Sequence, residues 1–178
     1  MSLNKHVQLM AQYNQWMNQK LYDVAAGMKE SDLKSDRGAF FGSIFATLNH
    51  IAVADTIWLK RLNSIISSQW NLASIENLAP VNSLEMQLFD QLTELRCYRE
   101  QLDQLLLGIS NHIGEYELLL PVQYRDIKGN LHTKQCFNLL MHVFNHQTHH
   151  RGQITTMLSQ ANIDIGVTDL NALIPELA

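Results

Sequence analysis

The chain has 178 residues, 46% hydrophobic and 17% charged, enough for one well-buried domain over residues 1–178 and too little for two. A formal charge of -4, a sequence pI near 6.0 and scattered Lys and Arg argue against nucleic acid or an anionic membrane surface as a partner. Cys97 and Cys136 lie far apart without a paired spacing, which argues against a disulfide framework or a thiolate zinc site and suits a reducing compartment.

The opening MSLNKHVQLM has neither the apolar core nor the cleavage site of a signal peptide, so a cytoplasmic location is expected. From Leu3 to Met28, apolar residues recur at Leu3, Val7, Met10, Met17, Leu21, Val24 and Met28, which predicts a long amphipathic helix. The following KESDLKSDRG shows no apolar period and closes on Gly38, predicting a loop. Ser43 is placed to cap a second helix, SIFATLNHIAVADTIWLKRL, apolar on nearly every side until Lys60. Such a helix belongs in a core. Asn49, His50 and Asp55 interrupt it, and it falls short of the roughly 20 clean apolar residues of a membrane span.

After Leu62 a Ser-, Asn- and Pro-containing stretch to Asn82 reads as a long connection with room for a short helical turn. Ser83 then caps a predicted third helix through Leu84, Leu88, Leu92, Leu95, Leu102, Leu105 and Ile109, with Glu, Gln and Arg on its outer face. In LLLPVQYRDIKGNLHTKQ the period changes: Val122, Tyr124 and Asp126 alternate, as do Leu131 and Thr133, about Gly129-Asn130. This predicts a β-hairpin with a two-residue turn at positive φ. A fourth helix is predicted from about Gln135 to Gln160, followed by a tail folded back over the bundle. The expected fold is all-α, a four-helix bundle with a small hairpin between helices three and four.

The fourth helix holds four of the eight histidines. Its apolar stripe, stepping by three and four, runs Leu139, Val143, His146, His150, Ile154, Met157. The inward face therefore presents two imidazoles one turn apart, near enough to share one ion. A His-x-x-x-His pair alone is a weak signal, since a core histidine held by a carbonyl or hydroxyl is commoner. His50, isolated in the most apolar helix, strengthens it: a buried histidine needs a partner for each ring nitrogen, and a metal plus a hydrogen-bond acceptor supplies both. His50 is thus the candidate third ligand. His142 and His149 sit one step round the helix and are alternatives, supporting groups or solvated side chains. His6, His112 and His132 lie in polar or loop contexts, where solvation is the ordinary reading.

Gln147 stands where a His-Glu-x-x-His protease carries its general base, and an amide cannot take a proton at neutral pH. The fourth helix has no Asp or Glu, so a di-iron carboxylate site is also disfavoured. One divalent ion on three imidazoles remains, with an open position for water or substrate; zinc, nickel and ferrous iron all suit.

The stretches YNQWMNQKL, LNHIAVADTIWLKRL, the hairpin with its Gly, and above all FNHQTHHRGQI resemble the DinB family of bacterial four-helix bundles, also described as DinB/YfiT-like. The resemblance spans nearly the whole chain. It implies a divalent metal on His50, His146 and His150, and an activity like that of the assigned members. Those are thiol S-transferases or isomerases using a low-molecular-weight thiol such as bacillithiol or mycothiol. The implied chemistry is Lewis-acid activation of a thiol or water toward an electrophilic small molecule. The resemblance also implies a homodimer. Arg151 is read as binding an anionic substrate or thiol, or as an ion pair to Asp169 that anchors the tail. Asp55 is read as orienting an imidazole or as pairing with a basic side chain, and Tyr13 and Trp16 as packing residues rather than substrate contacts. Two other classes stay open: a non-catalytic metal-binding or stress-response bundle, and a metal-free interaction module.

Overall fold

The computed structural model describes residues 2–66 and 72–176. Four long helices form an all-α bundle, with a two-stranded antiparallel hairpin set between the third and fourth of them. Helix α1 (Leu3–Ala26) starts at Ser2, whose hydroxyl accepts the amide of Lys5, and stops at Gly27. A short helix α2 (Glu30–Lys34) follows. It replaces the predicted loop because Leu33, 3% exposed, anchors this single turn against the core.

Helix α3 (Ile44–Ile66) begins after Ser43, whose Oγ accepts the amide of Ala46 as the sequence predicts, and runs a turn beyond Leu62. The middle of the predicted connection, residues 67–71, lies outside the described residues; α4 (Leu72–Glu76) supplies its short helical turn. Helix α5 (Leu92–His112) starts eight residues later than predicted, capped at Gln91 in place of Ser83. Ser83 caps only a local turn, its Oγ accepting the amide of Glu85. The next residues are drawn onto α3, where Asn49 Oδ1 accepts the amides of Leu88 and Phe89 and its Nδ2 donates to the Phe89 carbonyl. Backbone groups satisfied by a side chain of another helix have no need of a helix of their own.

After α6 (Glu115–Leu119), strands β1 (Pro121–Arg125) and β2 (Leu131–Gln135) pair antiparallel, with Val122 opposite Lys134 and Tyr124 opposite His132. Val122 is buried, whereas Leu131 is 54% exposed. The turn is longer than the expected two residues. Asp126 to Asn130 form it, only Gly129 has positive φ (85°), and Asp126 accepts both the backbone amide and Nδ2 of Asn130. Helix α7 (Cys136–Gln160) closes the bundle.

Helices α1 and α5 pack together, as do α3 and α7, and each pair packs on the other. Cys97 is exposed and Cys136 buried, both as free thiols. The tail crosses α1 as predicted: Tyr13 donates to the Thr168 carbonyl and Lys20 to that of Val167, ahead of a 3₁₀ turn at Leu170–Leu173. Among the described residues no helix is long and apolar enough to cross a membrane.

Candidate metal centre

The packing of α3 on α7 brings His50, His146 and His150 together. One ring nitrogen of each lies within 4.8 Å of the others, and His50 and His150 are only 6% and 7% exposed. The predicted stripe is the buried one, with Leu139, Val143, Ile154 and Met157 on either side of the two histidines of α7.

The outer ring nitrogens show how the cluster is held. His50 Nδ1 faces the Leu84 carbonyl at 3.1 Å, and His150 Nδ1 faces Gln153 Oε1 at 2.8 Å. Both partners are acceptors, which assigns the proton to Nδ1 and leaves a lone pair on Nε2 of each ring. Those two Nε2 atoms point at His146 Nε2, at 3.3 and 3.1 Å. His146 can offer one proton to one of them, so hydrogen bonding alone cannot satisfy the three. A cation can. Nitrogen ligands about 2.0–2.1 Å from a tetrahedral ion lie about 3.3 Å apart, the spacing His146 keeps to each of the other two. His146 Nδ1 is buried with no hydrogen-bond partner among the described residues, so only its neighbours fix that ring.

Burial pushes all three imidazoles below the ordinary histidine pKa, His146 furthest, to about 3, with the other histidines adding to the effect. They are neutral at pH 7, the form that ligates metal. Phe41 covers the cluster from one side, stacked on His50 at 3.9 Å between ring centroids and edge-on to His150 at 5.5 Å. On the other side opens a cavity of about 480 Å³ reached by His50 and His146. Its walls are Ala54, Ile57 and Trp58 of α3, Leu84, His142 of α7 and the hairpin turn, a size and lining suited to a small molecule.

The remaining sequence candidates divide sharply. His142 is exposed on the cavity wall, edge-on to Trp58 at 4.9 Å, while His149 is exposed beside His150 and 3.4 Å from Gln153 Nε2. His132 is not simply solvated: it stacks on Tyr124 and lies 3.0 Å from Asp126. Tyr13 and Trp16 pack on each other away from the cavity.

Asp55, Gln147 and Arg151 enter a buried polar layer behind the histidines. Asp55 pairs with Arg99, which also holds Asp103 at 3.0 Å. Gln147 Nε2 donates to Asp55 at 2.7 Å, while its Oε1 accepts from Asn18 and Arg151. Arg151 also donates to Asn14 and Thr148 and stacks over Tyr13. Both sequence readings of Arg151 are therefore corrected. It is 2% exposed and does not line the cavity, and no ion pair to Asp169 occurs among the described residues. Asp55 takes the second of its two readings. Arg99, expected on an outer face, is 2% exposed; its place between Leu95 and Leu102 in the α5 stripe was the available signal.

Burial dominates the ionisation of this layer as well. It raises Asp55 to about 6 against the pull of Arg99, and lowers Arg151 to about 10. The layer stitches all four long helices together, with polar groups at core positions of each.

Comparison with known proteins agrees with this architecture. The DinB protein of Bacillus subtilis (strain 168) is 28% identical over 163 residues, covering 89% of this chain and 87% of the relative. No solved structure gives a significant match. The model of the DinB family matches residues 1–173, and the chain belongs to that family.

Proposed function

We propose that the chain binds one divalent metal ion, zinc, nickel or iron, through Nε2 of His50, His146 and His150, and is a metal-dependent enzyme of the thiol S-transferase type acting on an electrophilic small molecule. The observation that carries this reading is the convergence of three neutral imidazoles, two with Nδ1 already committed, at the end of a cavity of ligand size. When bound, such an ion supplies Lewis acidity that lowers the pKa of a coordinated thiol or water. The protein's own groups do the rest. Leu84 and Gln153 hold two imidazoles in their ligating tautomer, Phe41 shields them, and the cavity wall excludes water from one side of the substrate.

His142 is the wall group suited to take the thiol proton, since the partial desolvation of its ring on the cavity wall and the charges of Lys134 and Arg61 keep it neutral. Under this reading His142→Gln lowers turnover while metal content stays at one per chain. A homodimer and a cytoplasmic setting complete the proposal, and a monomeric mass by light scattering would overturn the first.

Metal analysis of untagged protein beside a screen of low-molecular-weight thiols with electrophiles tests the whole. About one metal per chain with thiol-dependent turnover supports the enzyme. A second reading, a non-catalytic metal-binding or stress-response bundle, is favoured by the ligands coming from two helices, α3 and α7, which an ion would tie together. Metal without thiol binding, and a melting temperature that falls sharply on chelation, would select it.

A further inference from the structure

Four residues after His50 comes Ala54, then Ile57 and Trp58, then Arg61, all facing the same cavity. The eleven residues from His50 to Arg61 return to within about 20° of the same helix face and rise about 16 Å along α3. The cavity therefore has two ends. The histidines stand at one, an apolar floor runs between, and a guanidinium stands at the other.

The state of that guanidinium is the telling feature. Its central carbon lies 4.7 Å from the Trp58 ring centroid and 4.9 Å from that of Tyr124, whose rings meet edge to face. Aromatic stacking holds the plane of an arginine in place while leaving its N–H edges open. Among the described residues no hydrogen bond or ion pair takes up those edges. Asp126 borders the same cavity with its carboxylate hydrogen-bonded to Asn130 and His132, so that its charge acts on Arg61 from a distance without taking up the N–H edges. Lys128, also on the turn, adds a second positive charge.

We propose that Arg61, set against the corner formed by Trp58 and Tyr124, is the anchor for the carboxylate of a small amphipathic acid. The acid's apolar body lies along Ala54, Ile57 and Trp58, and its other end reaches His50 and His146. The proposal rests on the reading of this cavity as the substrate site. A planar fork with free edges matches a carboxylate by two parallel hydrogen bonds, whereas Lys128 contributes only a mobile point charge. Arg61 thus determines specificity at the end of the site away from the three metal-ligand histidines.

The test uses the full-length protein and two probe pairs in titration calorimetry: octanoate with octanamide, and 8-mercaptooctanoate with its carboxamide. The first pair carries no strong metal ligand and reads the Arg61 end alone. Octanoate is expected to bind about tenfold more tightly than octanamide, as charge-assisted hydrogen bonds imply. In Arg61→Gln the two should bind alike, with octanamide unchanged as the control for folding, and Arg61→Lys should recover only part of the preference. Equal binding of the pair by the parent protein, or a preference that survives Arg61→Gln, overturns the proposal.

The mercapto pair, titrated into nickel-loaded protein, reads the other end through the thiolate-to-nickel absorption band. An octanoate preference that depends on Arg61, without that band, leaves the carboxylate anchor standing and removes the thiol chemistry. The band without the preference does the reverse.

Discussion

Gln147 donates its amide N–H to Asp55 at 2.7 Å, joining α7 to α3 between the helical turns that carry His146 and His150. The residue at the position of a metalloprotease's general base is thus a strut between the two helices that supply the histidines. Its carbonyl end is held as firmly, by Asn18 of α1 and Arg151 one turn on. Gln147→Glu would place a second carboxylate against Asp55 and remove a donor. It is expected to destabilise the fold by about 1–3 kcal/mol in urea denaturation, with no peptidase activity gained. Protease activity in that variant would show that the strut reading is wrong.

Arg99 is the counter-charge to Asp55 and Asp103, all three at most 3% exposed. Removing one member of such a group strands the others in low dielectric, at a cost of about 3–5 kcal/mol. Arg99→Met should therefore lower stability by that order. Adding Asp55→Asn and Asp103→Asn to the same variant should restore part of the loss. A change below about 1 kcal/mol in chemical denaturation would mean that water reaches the layer.

Loss of single ligands is expected to be decisive for metal and mild for the fold. His50→Ala, His146→Ala and His150→Ala should each take bound metal from about one per chain to near none by mass spectrometry, with the helical signal retained. Metal kept by both α7 variants would move the assignment toward His142 or His149.

Asn49 affects the same site indirectly. It holds Leu88 and Phe89 in place, and the Leu84 carbonyl that receives His50 lies on the same connecting segment. Asn49→Ala is expected to cost about 1–3 kcal/mol through the freed backbone groups. Metal affinity should weaken about tenfold or more, the usual effect of losing support behind a ligand. Competition with a chromogenic chelator would measure it; unchanged affinity would separate the segment from the site.

The metal-free protein should lose stability as pH falls. Burial depresses the folded-state pKa of His50, His146 and His150, so below the unfolded value near 6.5 the unfolded chain binds protons that the folded chain refuses. The stability present above about pH 6.5 is thus lost as pH drops below that value, with His146, whose pKa falls to about 3, contributing over the widest range. His146→Gln should flatten that slope, as followed by thermal melts from mildly acidic to mildly alkaline pH.

Periodicity made most of the bundle legible. The α7 stripe from Leu139 to Met157 and the α3 run after Ser43 have a strong 3.6-residue signal, and local chemistry alone places His146 above His150. The capping hydroxyl of Ser43 and the fold of the tail over α1 were legible from local signals too. The start of α5 was not. Leu84 and Leu88 keep the helical period, but Asn49, some forty residues earlier, binds the backbone that would have formed the first turns.

What the sequence determined by itself is which side chains face inward, because that depends on spacing along one helix. What only the tertiary structure decided is which inward groups meet. His50 reaches His146 across 96 residues, Asp55 reaches Arg99 and Gln147, and Arg61 comes to lie against both Trp58 and the Tyr124 of a distant hairpin. Those meetings depend on how helices cross and on the burial of charge, which favours gathering polar groups from all four helices into one layer of paired side chains.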